Sequence, residues 1–336
     1  MQRTIHRELL RWKEKPRRKP LLLTGVRQCG KTFSILEFGK TEFEDVAYVN
    51  FEKSQDAVRI FSVDFDIARI LDDLAGIVVD KIIVPGRTLL VLDEIQACPS
   101  AITALKYFQE DMPRLHVIAV GSLLGVVVRA QNLSFPVGKV DRLSMYPMTF
   151  AEFVQANGEG RLLEGLDRFP VGQPFPELYT SRLETLLKQY YIVGGMPEVV
   201  QCWIDTHDYA QVDAMQDAIL EDYAADFAKH PPVHEIPRIR LIWDSIPIQL
   251  AKENNEFVFS HVKKGVRAKE LEDSLEWLES AGLIYRLCLV SQTEIPLSGM
   301  ADATYFKVYM SDVGLLRRKS NLHYKTILEG DALYVR

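Results

Sequence analysis

Cysteine is scarce in this chain, with four in 336 residues at positions 29, 98, 202 and 288. They form no CxxC pair and no Cys/His cluster, so neither a disulfide framework nor a structural zinc site is indicated, and a reducing cytoplasm fits. Long apolar runs are missing as well. The stretch LHVIAVGSLLGVVV at 115–128 is too short to span a bilayer and holds two glycines, so it reads as a buried strand with the turn after it, and no membrane residence is expected. The N-terminal MQRTIHRELLRWKEK lacks the apolar centre of a secretory signal. Positive charge is not in excess: 40 Lys and Arg stand against 46 Asp and Glu, a net charge of -6. That balance argues against a surface built mainly for nucleic acid, although a local basic patch is invisible in such a sum. No internal repeat or low-complexity tract occurs.

What is present suits an ordinary folded protein of about two domains, with 47% hydrophobic and 26% charged residues. RWKEKPRRKP at 11–20 reads as a solvated basic linker, with a phosphate-contacting arm as the alternative. From there to about residue 125, short apolar runs (LLLTG, VAYVNF, TLLVLDE, LHVIAVGS) alternate with helix-length segments. Unbroken apolar strands spaced in this way predict a parallel sheet covered by helices on both faces, an α/β fold. After residue 145 the pattern turns helical. Pro231 and Pro232 then mark a boundary, and the order helix, helix, strand, strand that follows suggests a winged-helix-like module with Gly282 ending its second helix. The expected domains are 1–147, 148–230 and 231–336.

Residues Gly25 to Thr32, GVRQCGKT, match the pattern G-x-x-x-x-G-K-S/T. Glycines let the backbone curl so that successive N–H groups face a phosphate, and the next helix presents its positive end to the same anion. In this reading Gly25, Arg27, Gln28, Cys29, Gly30, Lys31, Thr32 and Phe33 line an ATP site. Lys31 neutralises phosphate oxygens and the Thr32 hydroxyl ligates Mg²⁺. About sixty residues on, LLVLDE ends in Asp93, placed to hold Mg²⁺, and Glu94, placed to polarise the attacking water. A third apolar run ends at Ser122, either a residue orienting that water or a serine that satisfies turn backbone. Cys29 reads as a filler whose N–H faces the phosphates. The alternative is a redox-sensitive thiol, since a helix N-terminus beside Lys31 should lower its pKa.

These segments, with GKVDRLSMYPMTFAEF and YYIVGGMPEVV further on, resemble a family of bacterial and archaeal AAA-type ATP-binding proteins. The resemblance runs from about residue 3 to the end, and Gln28, Gln96, Pro147, Phe150, Glu152 and Gly194-Gly195-x-Pro197 carry it most specifically. It implies a P-loop core with an additional strand, a helical lid and a winged-helix module, often followed by a nuclease-like segment. The sequence stops at GDALYVR, about where that segment would begin, so it is expected to be missing and nuclease activity is not expected. Relatives carry Gly-Arg where this chain has Gly138-Lys139, and that arginine is a candidate for reaching a neighbour's γ-phosphate in an oligomer. Lysine is a weaker substitute, and Arg142 or Arg129 could serve instead.

Of the other clusters, His230 and His234 are separated by prolines and are not expected to bind metal. Glu221, Asp222 and Asp226 read as a solvated helix face. Helix RAKELEDSLEWLESAG carries five acids among its basic residues, with Lys263, Lys264 and Arg267 nearby as the basic group. A winged shape here therefore supports contact with protein as readily as with DNA. The expected function is ATP hydrolysis driving change on a DNA or protein partner, with a slow-turnover, nucleotide-dependent regulator as the alternative.

Overall fold

The computed structural model describes residues 3–122, 136, 138–166, 169, 176–229, 231, 234–252, 256–263, 265, 268–290 and 295–330. Arg129, His230, Lys264 and Arg267, and the turn expected after Ser122, lie outside them. The chain divides into two compact units, Met1–Tyr146 and Pro147–Arg336.

In the first unit, β1 (Leu21–Gly25), β2 (Asp45–Asn50), β3 (Thr88–Asp93), β4 (His116–Gly121) and β5 (Asp141–Met145) form one sheet in the order β2-β3-β4-β1-β5. Every pairing is parallel. β4 separates β1 from β3, which is the additional-strand arrangement expected from the sequence. The two central strands β3 and β4 are buried at every residue, as parallel strands covered on both faces must be. Helices α1 (Ile5–Glu14), α2 (Lys31–Glu42), α3 (Gln55–Val63), α4 (Ile67–Asp73) and α5 (Pro99–Asp111) accompany the sheet. Ser54 caps α3 through the Ala57 N–H, Asp66 caps α4 through Ala68 and Arg69, and Pro99 opens α5. One core cluster joins Ala47, Val49, Phe61, Ile70, Leu90, Leu92, Ile102 and Phe108.

Two sequence readings change. DRLSM forms a strand that no apolar run announces, because β5 is a half-exposed edge whose polar residues interrupt one. The basic segment 11–20 is no free linker. Trp12 donates its indole N–H to the Lys19 carbonyl at 2.8 Å, Lys15 pairs with Asp141 at 2.6 Å, and Arg18 donates to the carbonyls of Pro113, Arg114 and Leu115. The charges of Lys15 and Arg18 are used inside the unit.

The second unit opens with α6 (Phe150–Ala156), whose start is a reciprocal capping box between Thr149 and Glu152. It continues through α7 (Gly160–Leu166), α8 (Glu177–Val193), α9 (Pro197–Thr206) and α10 (Tyr209–Lys229). Next come α11 (Ile236–Leu250), α12 (Phe259–Val262), α13 (Ala268–Ser280) and the antiparallel pair β6 (Ile284–Val290) and β7 (Ala301–Met310). Last are α14 (Val313–Lys319) and α15 (Tyr324–Glu329). On α10, Glu221 and Asp222 are exposed, but Asp226 is buried, so that acidic face is only partly solvated. Leu271, Leu275, Trp277 and Leu278 of α13 are all buried, and Gly282 follows the helix at φ +74°.

The Gly194-Gly195 turn owes its composition to a buried carboxylate. Asp312 accepts from the Gly195 N–H at 2.6 Å and, capping α14, from the Leu315 N–H at 2.9 Å. A Cβ on Gly194 would stand 2.2 Å from Asp312 Oδ1, and one on Gly195 would stand 2.1 Å from the Met148 carbonyl oxygen. Met148 in turn accepts from the Tyr190 hydroxyl at 2.8 Å. Gly195→Ala should therefore destabilise the protein by about 1–3 kcal/mol through overpacking, read as a lower denaturation midpoint.

His116 makes a second test. It is buried beside Trp12 and Phe43, and burial, reinforced by the charge of Arg18 and opposed by a hydrogen bond with the Lys13 backbone, pushes its pKa down to about 4. A depressed histidine pKa means the unfolded chain binds more protons, so its contribution is complete above the ordinary value of 6.5 and is lost as pH falls toward 4. His116→Gln should flatten the fall of the melting temperature across that window, measured by differential scanning fluorimetry.

Candidate nucleotide site

The loop between β1 and α2 is shaped by backbone conformations that few residues tolerate. Gly25 sits at φ +150°, and a Cβ there would stand 2.1 Å from the Met145 carbonyl oxygen, so the loop lies directly on the end of β5. Gln28 at φ +64° and Gly30 at φ +88° complete the curl, and Gly30 is the N-cap of α2. Lys31 is buried and turns back to donate to the carbonyls of Gly25 at 2.9 Å and Val26 at 2.8 Å. Burial pushes its pKa down, against the opposing influence of Cys29, Glu94 and Asp93.

The next residue on α2 reaches the end of β3. Thr32 donates its hydroxyl proton to Asp93 Oδ2 at 3.0 Å, and Asp93 is 2% exposed. Glu94 follows at φ +51°, a left-handed conformation that turns the chain out of the strand. Burial pushes the Glu94 pKa up, with Asp93 and Glu52 adding to it and a hydrogen bond from Gln96 Nε2 opposing. The other amide atom of Gln96, Oε1, is buried without a hydrogen-bond partner. Ser122 is buried just past β4. Gly121 is paired with Thr24, so Ser122 stands at the same carboxyl edge of the sheet as Gly25.

The structure thus brings Lys31, Thr32, Asp93 and Glu94 to one edge of the sheet and sets Ser122 just past the end of the strand between. Arg27 lies 3.9 Å from Glu52, and Phe33 is 60% exposed. Lys139 pairs with Glu110 at 2.8 Å, and Arg142 lies exposed on β5. The expected lowering of the Cys29 pKa is reversed. The thiol is fully buried against the Met145 carbonyl, and desolvation raises its pKa despite Lys31 and Arg3. A helix N-terminus activates a thiol only where the thiolate can be solvated.

Three contributors escaped the sequence reading. Tyr48 donates to Asp93 Oδ2 at 2.6 Å, and burial together with that bond pushes its pKa up to about 12. Asn50 donates to the Tyr48 hydroxyl at 3.3 Å. Polar residues at 48 and 50, alternating at the carboxyl end of a strand, were the available signal. Arg3 bridges the Cys29 carbonyl at 3.0 Å and the Tyr146 carbonyl at 2.7 Å, pinning the loop to the end of β5. No local pattern announces a contact of that sequence separation.

A family model described as an AAA domain matches residues 17–154. Over those residues the chain is similar to an AAA domain. A second model, a domain of unknown function (DUF8612), matches residues 184–326. Among solved structures, the Walker-type ATPase of Pyrococcus abyssi superposes with a TM-score of 0.58 at 14% identity, covering 94% of each chain. That likeness establishes a shared fold. The ORC2 protein of Aeropyrum pernix, in ADPNP-ADP complexes, aligns over 97% of this chain and 92% of its own at 14% identity, with a looser TM-score of 0.40. No curated protein matches the chain by sequence. Among the described residues, no helix is long and apolar enough to cross a membrane, and no group of three or more His, Cys, Asp or Glu could hold a metal.

Within the first unit, a buried Cys29 should react slowly. Under native conditions iodoacetamide should label Cys202 and Cys288, both partly exposed, well before Cys29 and Cys98. Peptide mapping by mass spectrometry would show the order, and early labelling of Cys29 would restore the redox reading.

Proposed function

We propose that the chain binds ATP with Mg²⁺ in the loop of residues 25–32 and hydrolyses it to drive a conformational change on a DNA or protein partner. The observation that carries this reading is the bond from Thr32 to a buried Asp93, with Lys31 one residue before and Glu94 one residue after. A hydroxyl and a single carboxylate are hard oxygen donors of the kind that suit Mg²⁺ beside phosphates, and a cage of several carboxylates is not needed. When bound, the cation would draw charge from the phosphate oxygens.

The side chains divide the remaining work. The N–H groups opening α2 face the phosphates, and Lys31, whose partners are now neutral loop carbonyls, can exchange them for phosphate oxygens. Glu94 holds its carboxylate beside Gln96, and a raised pKa makes it a better proton acceptor for an attacking water. The unpartnered Gln96 Oε1 offers that water an acceptor, and Ser122 at the same edge is the second candidate for orienting it.

In this reading α6 to α10 form the helical lid, and α11 to β7 a winged-helix-like module. Helix α13 exposes Glu270, Asp273 and Glu279, and Arg286 of the hairpin pairs with Glu272 at 2.6 Å. An acidic helix of this kind opposes DNA phosphates, which favours a protein partner. The regulator reading keeps one support: Lys139 is paired with Glu110, so a finger at this position would have to leave that partner. Slow turnover by the isolated chain follows.

Steady-state phosphate release and binding of a fluorescent ATP analogue test the assignment together. Lys31→Ala should weaken binding at least tenfold. Glu94→Gln should keep binding but slow turnover by about 10²-fold or more, the usual contribution of a positioned general base. Turnover that survives Glu94→Gln would sink the catalytic assignment, and stimulation by duplex DNA would overturn the preference for a protein partner.

A further inference from the structure

The Asp93 carboxylate is held from three directions, and one of them comes from outside the two sequence motifs. Oδ1 accepts the Glu94 N–H at 3.0 Å. Oδ2 accepts both the Thr32 hydroxyl at 3.0 Å and the Tyr48 hydroxyl at 2.6 Å. The Tyr48 hydroxyl is itself placed by Asn50 Nδ2, while Asn50 Oδ1 is fixed by the N–H groups of Glu52 and Lys53, each at 3.0 Å. The phenol is therefore a rigid donor, anchored on β2, whose register sets Asn50 opposite Asp93.

Thr32 alone cannot fix the carboxylate in this way. Its hydroxyl belongs to the phosphate loop and must also offer lone pairs to a cation, whereas the terminal torsion of an aspartate is broad and two-fold. A donor outside the loop keeps Oδ2 in place while the loop adjusts to phosphate. We propose that Tyr48 is a positioning residue that holds Asp93 in the orientation required to receive the divalent cation of a metal–nucleotide complex. This rests on reading the 25–32 loop and Asp93 as the nucleotide site. Partners that orient a metal-binding carboxylate usually matter nearly as much as the carboxylate itself.

Tyr48→Phe removes the hydroxyl and keeps the ring. The full chain, wild type and variant, is titrated with a fluorescent ATP analogue in EDTA and then with Mg²⁺ at fixed analogue, with thermal melting as a control. The expected result is unchanged affinity in EDTA, a melt lowered modestly by loss of one hydrogen bond to a buried carboxylate, and about a tenfold rise in the Mg²⁺ concentration that gives half-maximal binding enhancement. An unchanged magnesium dependence would overturn the proposal. So would a loss of metal-free and metal-dependent binding in equal proportion, because that is the signature of a structural role. If the wild type binds no analogue under either condition, the nucleotide reading itself falls, a result distinct from a wild type that binds and a Tyr48 variant that behaves like it.

Discussion

Asp93 is a buried carboxylate at the end of a strand with no exposed residue, and the first unit is arranged around satisfying it. Leaving a charge there without donors would cost several kcal/mol. The donors come from α2 through Thr32, from β2 through Tyr48 and from the turn after β3 through the Glu94 N–H. Each bond also locks an element: the start of α2, the end of β2 and the left-handed turn that presents Glu94. The contact of Gly25 with the Met145 carbonyl and the Arg3 bridge add β5 and the N-terminal helix to the same assembly.

The second unit uses a related device for a different purpose. Asp312, fully buried, is met by backbone N–H groups at the start of α14 and at Gly195. Burial pushes its pKa up while those N–H groups pull it down. Nearby, Gln216 donates to the carbonyls of Ile192 and Val193 and accepts from Arg317, which also binds Asp213. The end of α8, the start of α14 and the middle of α10 thus meet in one polar knot. The two glycines are required by close approach of a side chain and a carbonyl, whereas the glycines of the phosphate loop are required mainly by backbone curvature.

Much of the first unit was legible because its signals are local. Three of its five strands are largely continuous apolar runs, β2 alternates toward its end, and the loop and acid pair are compact local motifs. β5 was illegible because an edge strand needs no apolar face. Tyr48 and Arg3 were illegible because their roles depend on residues brought close only by the sheet. The basic segment 11–20 was misread for the same reason: charges that look solvated in a list of residues find carbonyls and Asp141 once α1 packs.

By itself the amino-acid sequence determined the α/β alternation, the phosphate-loop geometry and the identity of Lys31, Thr32, Asp93 and Glu94 as a group, since hydrophobic periodicity and glycine placement act over a few residues. Only the tertiary structure decided the state of Cys29, the partners of Asp93 and the pairing of Lys139 with Glu110. Those depend on burial and on contacts between residues far apart in the chain, and desolvation there outweighs the local electrostatics that a sequence displays.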